Sequence, residues 1–218
     1  MYIMITSACQ MECAHCIFSC SPKRGQHMSM DIFRAAAAAS GDYDSPIAIG
    51  GGEPTLHPDL LAMLSIASFL STEPIFMVTN GTCPEGLWNT LMEARVRAKI
   101  NIYVSNDLWH DSSMIKPWVV RDADRHKLWW GAPSTGHRTL IRRGRAKRNW
   151  KKLLWECEQS GLKVYTAEAE CGDPRVSPDG RVWADVPGGG SMGMINDPSA
   201  VSNAYDAIRN YEDKDNEE

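Results

Sequence analysis

Cys9-Gln10-Met11-Glu12-Cys13-Ala14-His15-Cys16 follows directly on a short apolar run, Tyr2-Ile3-Met4-Ile5. Three thiols in one loop bring soft ligands to one place, and thiolates so gathered hold metal. The gaps of three residues and then two differ from the paired C-x2-C ribbons of structural zinc sites and leave an odd number of ligands. An incomplete set suits a metal centre with one position open for something else. A zinc loop completed by Cys20, His15 or His27 is the alternative, but no second ligand pair of zinc spacing accompanies it.

A second stretch, Ile47-Ala48-Ile49-Gly50-Gly51-Gly52-Glu53-Pro54, reads as a buried strand running into a glycine-rich end. Alone it would be a tight turn between a strand and a helix. A C-x3-C-x2-C loop after a first strand, followed by Gly-Gly-Glu-Pro after a second, resembles the radical S-adenosylmethionine (radical SAM) enzymes. The resemblance implies that Cys9, Cys13 and Cys16 hold three irons of a [4Fe-4S] cluster, the fourth being chelated by the amino and carboxylate groups of SAM. It implies that Gly50, Gly51, Gly52 and Glu53 bind the methionine end of SAM, glycine allowing close backbone approach. It further implies reductive cleavage of SAM to a 5'-deoxyadenosyl radical that abstracts hydrogen from a substrate, after a one-electron donor such as flavodoxin or ferredoxin has reduced the cluster.

At 218 residues the chain can bury one full core, with or without a small extension. Its 43% hydrophobic and 23% charged residues are those of an ordinary globular protein and exclude a disordered or fibrous class. A net charge of -4 gives no pull toward nucleic acid or an anionic membrane. The longest apolar-rich stretch, residues 60–70, is too short to span a bilayer, so no membrane segment is expected. The N-terminus lacks the basic, apolar and small-residue order of a secretory leader. Seven cysteines without such a leader fit a reducing compartment, and the cytoplasm is the expected location.

Along the chain, a strand is expected at residues 2–7 and a helix after Ser29 as N-cap, with Asp31 in its first turn and its body at 33–39. A strand at 47–51 completes one βαβ unit. Helices at 58–71 and 84–97 alternate with strands at 74–78 and 99–104. A less regular helical region covers 112–130, with Pro117 limiting its first turn. A strand at 138–141, a helix at 147–160 capped by Gly161, and a sixth strand at 163–167 follow. This alternation predicts a parallel α/β architecture, and the resemblance makes it a partial (β/α)6 barrel of the radical SAM type over residues 1–168. Residues 169–209 form a C-terminal extension with a β-hairpin and helix, and the acidic tail 210–218 is expected to be disordered.

Parallel α/β sheets put ligands at the carboxyl ends of their strands, where the polar clusters of this chain fall. The resemblance assigns Asn80 to the SAM site, and Ser105 and Asp107 to the SAM ribose and carboxylate. An Asn-Gly turn and a helix N-cap are the plain alternatives. Arg142-Arg143-Gly144-Arg145-Ala146-Lys147 resembles a Gly-Arg-Ala segment of radical SAM peptide-modifying enzymes, which makes Arg145 a candidate contact to SAM or substrate. Lys147, Arg148, Lys151 and Lys152 read as the solvated face of an amphipathic helix. His15, where the family often has an aromatic residue, is expected to pack over the cluster.

Ser177-Pro178-Asp179-Gly180 is a turn between Val176 and Val182-Trp183 and predicts the hairpin. With Cys171 before it, the segment resembles the start of the SPASM extension, shortened and without further cysteines, Asp185 standing near where one would fall. It is expected to hold no cluster and to close the barrel mouth. No general acid or base stands out; Cys20, Cys171 and Tyr103 are the candidate proton or hydrogen donors. The SPASM-like segment points to a peptide or protein side chain as substrate. A nucleotide, modified base or other small molecule, a glycyl-radical partner protein, and a non-catalytic iron-sulfur or zinc module are the alternatives.

Overall fold

Ile3, Met4, Ile5 and Thr6 of β1 (Tyr2–Thr6) are all buried, as befits a strand in the middle of a covered parallel sheet. A computed structural model describes residues 1–23, 25–130, 137–141, 143–161, 163–167, 174–184, 186 and 190–215. In it β1 lies between β2 (Ala48–Gly51) and β8 (Arg175–Val176), parallel to both. The crossover to β2 is α1 (Met30–Asp42), whose N-cap Ser29 accepts from the Ile32 N–H at 3.4 Å. Its buried face of Phe33, Ala36, Ala37 and Ser40 is mostly small, so the helix can close on the sheet. Next come a short 3-10 turn at Pro54–Leu56, α2 (Leu60–Leu70), β3 (Ile75–Thr79), α3 (Glu85–Arg97) and β4 (Ile100–Ser105).

The helix expected across 112–130 is shorter. A 3-10 turn at Ser112–Met114 is followed by α4 (Pro117–His126), which Pro117 starts rather than kinks, because a first-turn position needs no N–H. Lys127, at φ 54°, ends it in the left-handed region. Trp129–Trp130 then forms β5, parallel to β4 through Val104↔Trp129 and Ser105↔Trp130. β6 (His137–Ile141) and β7 (Lys163–Ala167) pair in parallel with each other, joined by α5 (Gly144–Ser160), which Gly161 caps as expected. The architecture is the expected parallel α/β partial barrel, with one more short strand than the alternation predicted.

The hairpin is present: the Gly180 N–H donates to the Ser177 carbonyl at 2.8 Å, and β8 turns into β9 (Arg181–Trp183). β10 (Ser191–Met194) adds beside β9, giving one eight-stranded sheet of order β10-β9-β8-β1-β2-β3-β4-β5. The segment expected over the barrel mouth therefore extends the sheet at the edge of β1, where unpaired backbone groups would otherwise be left. The expected disordered tail is also corrected. α6 (Pro198–Asp215) continues through 210–215, and Tyr205, Ile208 and Tyr211 face the core at helical spacing. Cys171, Asp185 and residues 216–218 lie outside the described residues.

The strands have two unlike faces. Ile75, Met77, Ile100, Ile102 and Val104 are buried in the core shared with Phe33, Leu64 and Trp88 of the helices. Phe76, Val78, Asn101 and Tyr103 are half-buried on the opposite, inner face, where the Phe76 and Tyr103 rings stack at 6.4 Å. Among the described residues no helix is long and apolar enough to cross a membrane.

Candidate active site

Where β1 ends, the chain continues alongside the end of β2: the Gly52 N–H donates to the Thr6 carbonyl and the Glu53 N–H to the Ala8 carbonyl, both at 2.8 Å. Gly51 has φ +125°, and a Cβ there would collide with the Thr6 carbonyl. A Cβ on Gly52 would collide with the Ala8 carbonyl and one on Gly50 with the Tyr2 hydroxyl. The space a side chain would need is taken by the chain itself, so the packing of β1 on β2 already demands glycine here.

Glu53 is fully buried and its carboxylate accepts four hydrogen bonds. The donors are the Thr55 N–H at 3.1 Å, and the Thr55 hydroxyl, the Thr79 hydroxyl and the Asn80 N–H, each at 2.7 Å. Burial pushes this carboxyl above its ordinary range, while the donors pull it back. The side chain thus brackets the end of β2 to the end of β3. Asn80 carries the link onward: its Oδ1 accepts from the Thr82 N–H and hydroxyl, and its Nδ2 stands 3.6 Å from the Cys9 sulfur and 3.5 Å from Gln10 Oε1. Cysteine loop and glycine-rich strand end share one rim.

The thiols of Cys9, Cys13, Cys16 and Cys20 gather with Met4 and Met11, backed by Tyr2, Phe18 and Met114. The Met11 N–H donates to the Cys9 sulfur at 3.4 Å, and the Cys16 N–H to the Cys13 carbonyl at 3.2 Å. Burial, with the neighbouring Cys9 and Cys16, pushes the Cys13 thiol up to about 12. A hydrogen bond from the Cys20 thiol lowers Cys16 to about 6, and the same bond raises Cys20. Cys83 and Cys157 lie apart, buried at the start of α3 and within α5, and burial raises both.

The start of α5 grips this loop from outside. The Arg145 N–H donates to the Cys16 carbonyl and its Nη1 to the Cys13 carbonyl, each at 2.8 Å, while Nη2 donates to the Cys20 carbonyl. Asn149 Nδ2 donates to the Ala14 carbonyl at 3.0 Å. Gly144, at φ +51°, lies so close to the Ile17 carbonyl that a Cβ would overlap it. Arg145, expected at SAM or substrate, binds the loop backbone through a planar fork that matches two diverging carbonyls.

Asp107, expected at the SAM ribose and carboxylate, is held by its own turn and two histidines. Its Oδ1 accepts from the Trp109 N–H at 3.0 Å and meets His110 Nδ1 at 2.8 Å, and its Oδ2 stands 3.6 Å from His15 Nε2. Nor does it cap a helix, for Lys116 is the N-cap of α4. His15 packs against Trp109 and His110, at ring distances of 5.2 and 4.8 Å. The His15, Asp107 and His110 ligand atoms lie within 4.8 Å of one another, a set able to hold a cation. Ser105 is buried at the end of β4, and Tyr103 stays on the inner face.

The residues missed from sequence are Tyr2, His110 and Asn149, none of which carried a local sign.

The family model of the Radical SAM superfamily matches residues 3–130, more than half of the chain. Among curated proteins the chain is similar to the GTP 3',8-cyclase of Chlorobaculum tepidum, 29% identical over 94 residues that cover 42% of this chain and 28% of that protein. It is similar also to the probable GTP 3',8-cyclase of Methanothermobacter thermautotrophicus, 24% identical over 153 residues, 58% of this chain and 50% of that protein. The chain thus matches half or less of the length of these curated relatives. Among solved structures, BtrN in complex with AdoMet and 2-DOIA has a TM-score of 0.63 at 16% identity, covering 94% of this chain and 80% of that one. Native anSMEcpe with bound AdoMet and Cp18Cys peptide has a TM-score of 0.56 at 13% identity, covering 94% and 79%. At such identities these two share the fold. The chain belongs to the radical SAM superfamily, a family of enzymes that use a [4Fe-4S] cluster and S-adenosylmethionine.

Proposed function

We propose that Cys9, Cys13 and Cys16 hold the [4Fe-4S] cluster and that SAM binds between the cysteine loop and the ends of β2, β3 and β4. The observation that carries this is the bridge through Asn80, which meets Glu53 on one side and the Cys9 sulfur on the other. The residues fit the group. Their soft sulfur atoms are buried or half-buried beside Met4 and Met11, and the Met11 N–H and Asn80 Nδ2 are directed at the Cys9 sulfur, as an anionic cluster needs. When bound, cluster and SAM supply reductive SAM cleavage and hydrogen-atom abstraction from an unactivated carbon.

The chain's own residues supply placement. Glu53 and Thr79 fix the rim, α5 fixes the loop, and the half-buried inner face with Phe76 and Tyr103 offers an aromatic wall for a substrate. A peptide or protein side chain is the first reading of the substrate, resting on the SPASM-like hairpin β8–β9. A nucleotide is the second, favoured by what the curated relatives are named for and by an aromatic wall on which a base can stack. An electron donor protein completes the set.

Anaerobic reconstitution of the wild type is expected to give roughly four irons per chain and 5'-deoxyadenosine on reduction with SAM, and Cys13→Ala to lose both. Release of 5'-deoxyadenosine by Cys13→Ala would refute the ligand assignment. Comparing that release with added peptides and with GTP separates the two substrate readings.

A further inference from the structure

We infer that Arg145 is an electrostatic positioning residue that makes the cluster easier to reduce, an inference resting on Cys9, Cys13 and Cys16 as its ligands. The helix that carries it has no side-chain N-cap; the loop backbone serves instead, the Cys16 carbonyl taking the first-turn N–H of Arg145. The guanidinium then spans the loop, holding the Cys13 carbonyl with one amino group and the Cys20 carbonyl with the other. That arrangement brings a permanent positive charge to the backbone of the thiols, for arginine is not deprotonated in proteins. Among the described residues no carboxylate pairs with Arg145 at ion-pair distance. The 17-residue α5 adds the positive end of its dipole at the same place.

In the reduction step one electron passes from the donor protein to the cluster and no bond is made or broken. The reduced cluster carries one more negative charge than the oxidised one, so a fixed positive charge beside it favours the reduced form. Cluster potentials respond to net charge and hydrogen bonding of this kind. A merely structural tether would hold the loop without moving the potential, and this separates the two roles.

The test is a potentiometric titration of the reconstituted full-length protein without SAM, using mediator dyes and the electron paramagnetic resonance signal of the reduced cluster. At the wild-type midpoint, Arg145→Gln is expected to show about a tenfold lower ratio of reduced to oxidised cluster, which is a midpoint about 59 mV lower for one electron. Arg145→Lys, which keeps the charge but not the fork, is expected to stay within about twofold of wild type. Equal midpoints for Gln and wild type at equal iron content would overturn the inference, as would a Lys variant falling as far as Gln. Should the Gln variant hold no iron, Arg145→Met, equally neutral, takes its place on the same criterion. A wild-type chain without iron overturns the cluster assignment and this inference together; loaded variants of equal potential overturn only this inference.

Discussion

Replacing Thr79 by Val removes a hydroxyl that works twice in the rim while keeping the side-chain shape. It donates to the Glu53 carboxylate at 2.7 Å and accepts from the Gly81 N–H at 3.1 Å. A hydrogen bond to a charged group contributes about 1.5–3 kcal/mol, and a buried N–H left without a partner costs about 1–3 kcal/mol. The expected loss is therefore about 2.5–6 kcal/mol, a large share of the roughly 5–15 kcal/mol that holds a domain folded. The loss also depends on pH. Because burial raises the folded-state pKa of Glu53 above 4.5, the group contributes stability that is present below the unfolded pKa and lost as pH rises through the folded one. Removing a donor to the ionised form raises it further, so the penalty of Thr79→Val is greatest at pH above the raised folded-state pKa and shrinks as pH falls through it. Urea unfolding of the reduced apoprotein, followed by circular dichroism at two pH values, measures both effects. Thr90→Val is the control: its hydroxyl reaches only the Gly86 carbonyl on an exposed helix face, and a change within about 0.5 kcal/mol is expected. A Thr79→Val loss below about 1 kcal/mol would refute the role given to the bracket.

Gly51→Ala, at φ +125° and against the Thr6 carbonyl, is expected to cost about 3 kcal/mol by the same unfolding assay; a neutral result would mean that β1 and β2 are less tightly joined than described. Asp107→Ala leaves the Trp109 N–H and the two histidines without their shared acceptor, so a loss of about 2 kcal/mol and a melting temperature about 4–8 °C lower are expected for the apoprotein. An unchanged melting temperature would show that the turn holds without it.

What was legible in the sequence was local. The thiols of Cys9, Cys13 and Cys16, the glycines of β2 and the Ser29 cap each carry their meaning within a few residues, and the fold and the rim of the site follow from them. Trp129–Trp130 is a strand only because β4 offers it an edge, so its own pattern could not separate it from the end of a helix. Arg145 and Asp107 are recognisable as site residues from the sequence, but the contacts they make within the protein are not. Those contacts, with the carbonyls of the cysteine loop and the rings of His15 and His110, are set by tertiary packing that no spacing rule encodes. The hairpin was readable from its turn, whereas its attachment to β1 depends on which edge of the sheet is left bare.

The clasp on the cysteine loop lies 132 positions downstream of the carbonyl it holds, beyond the part of the chain matched by the family model. During synthesis every thiol of the motif emerges long before the arginine that shapes it. A nascent or truncated polypeptide ending near β5 would carry the cysteine loop with its anchors to β2 and β3 but without this clasp.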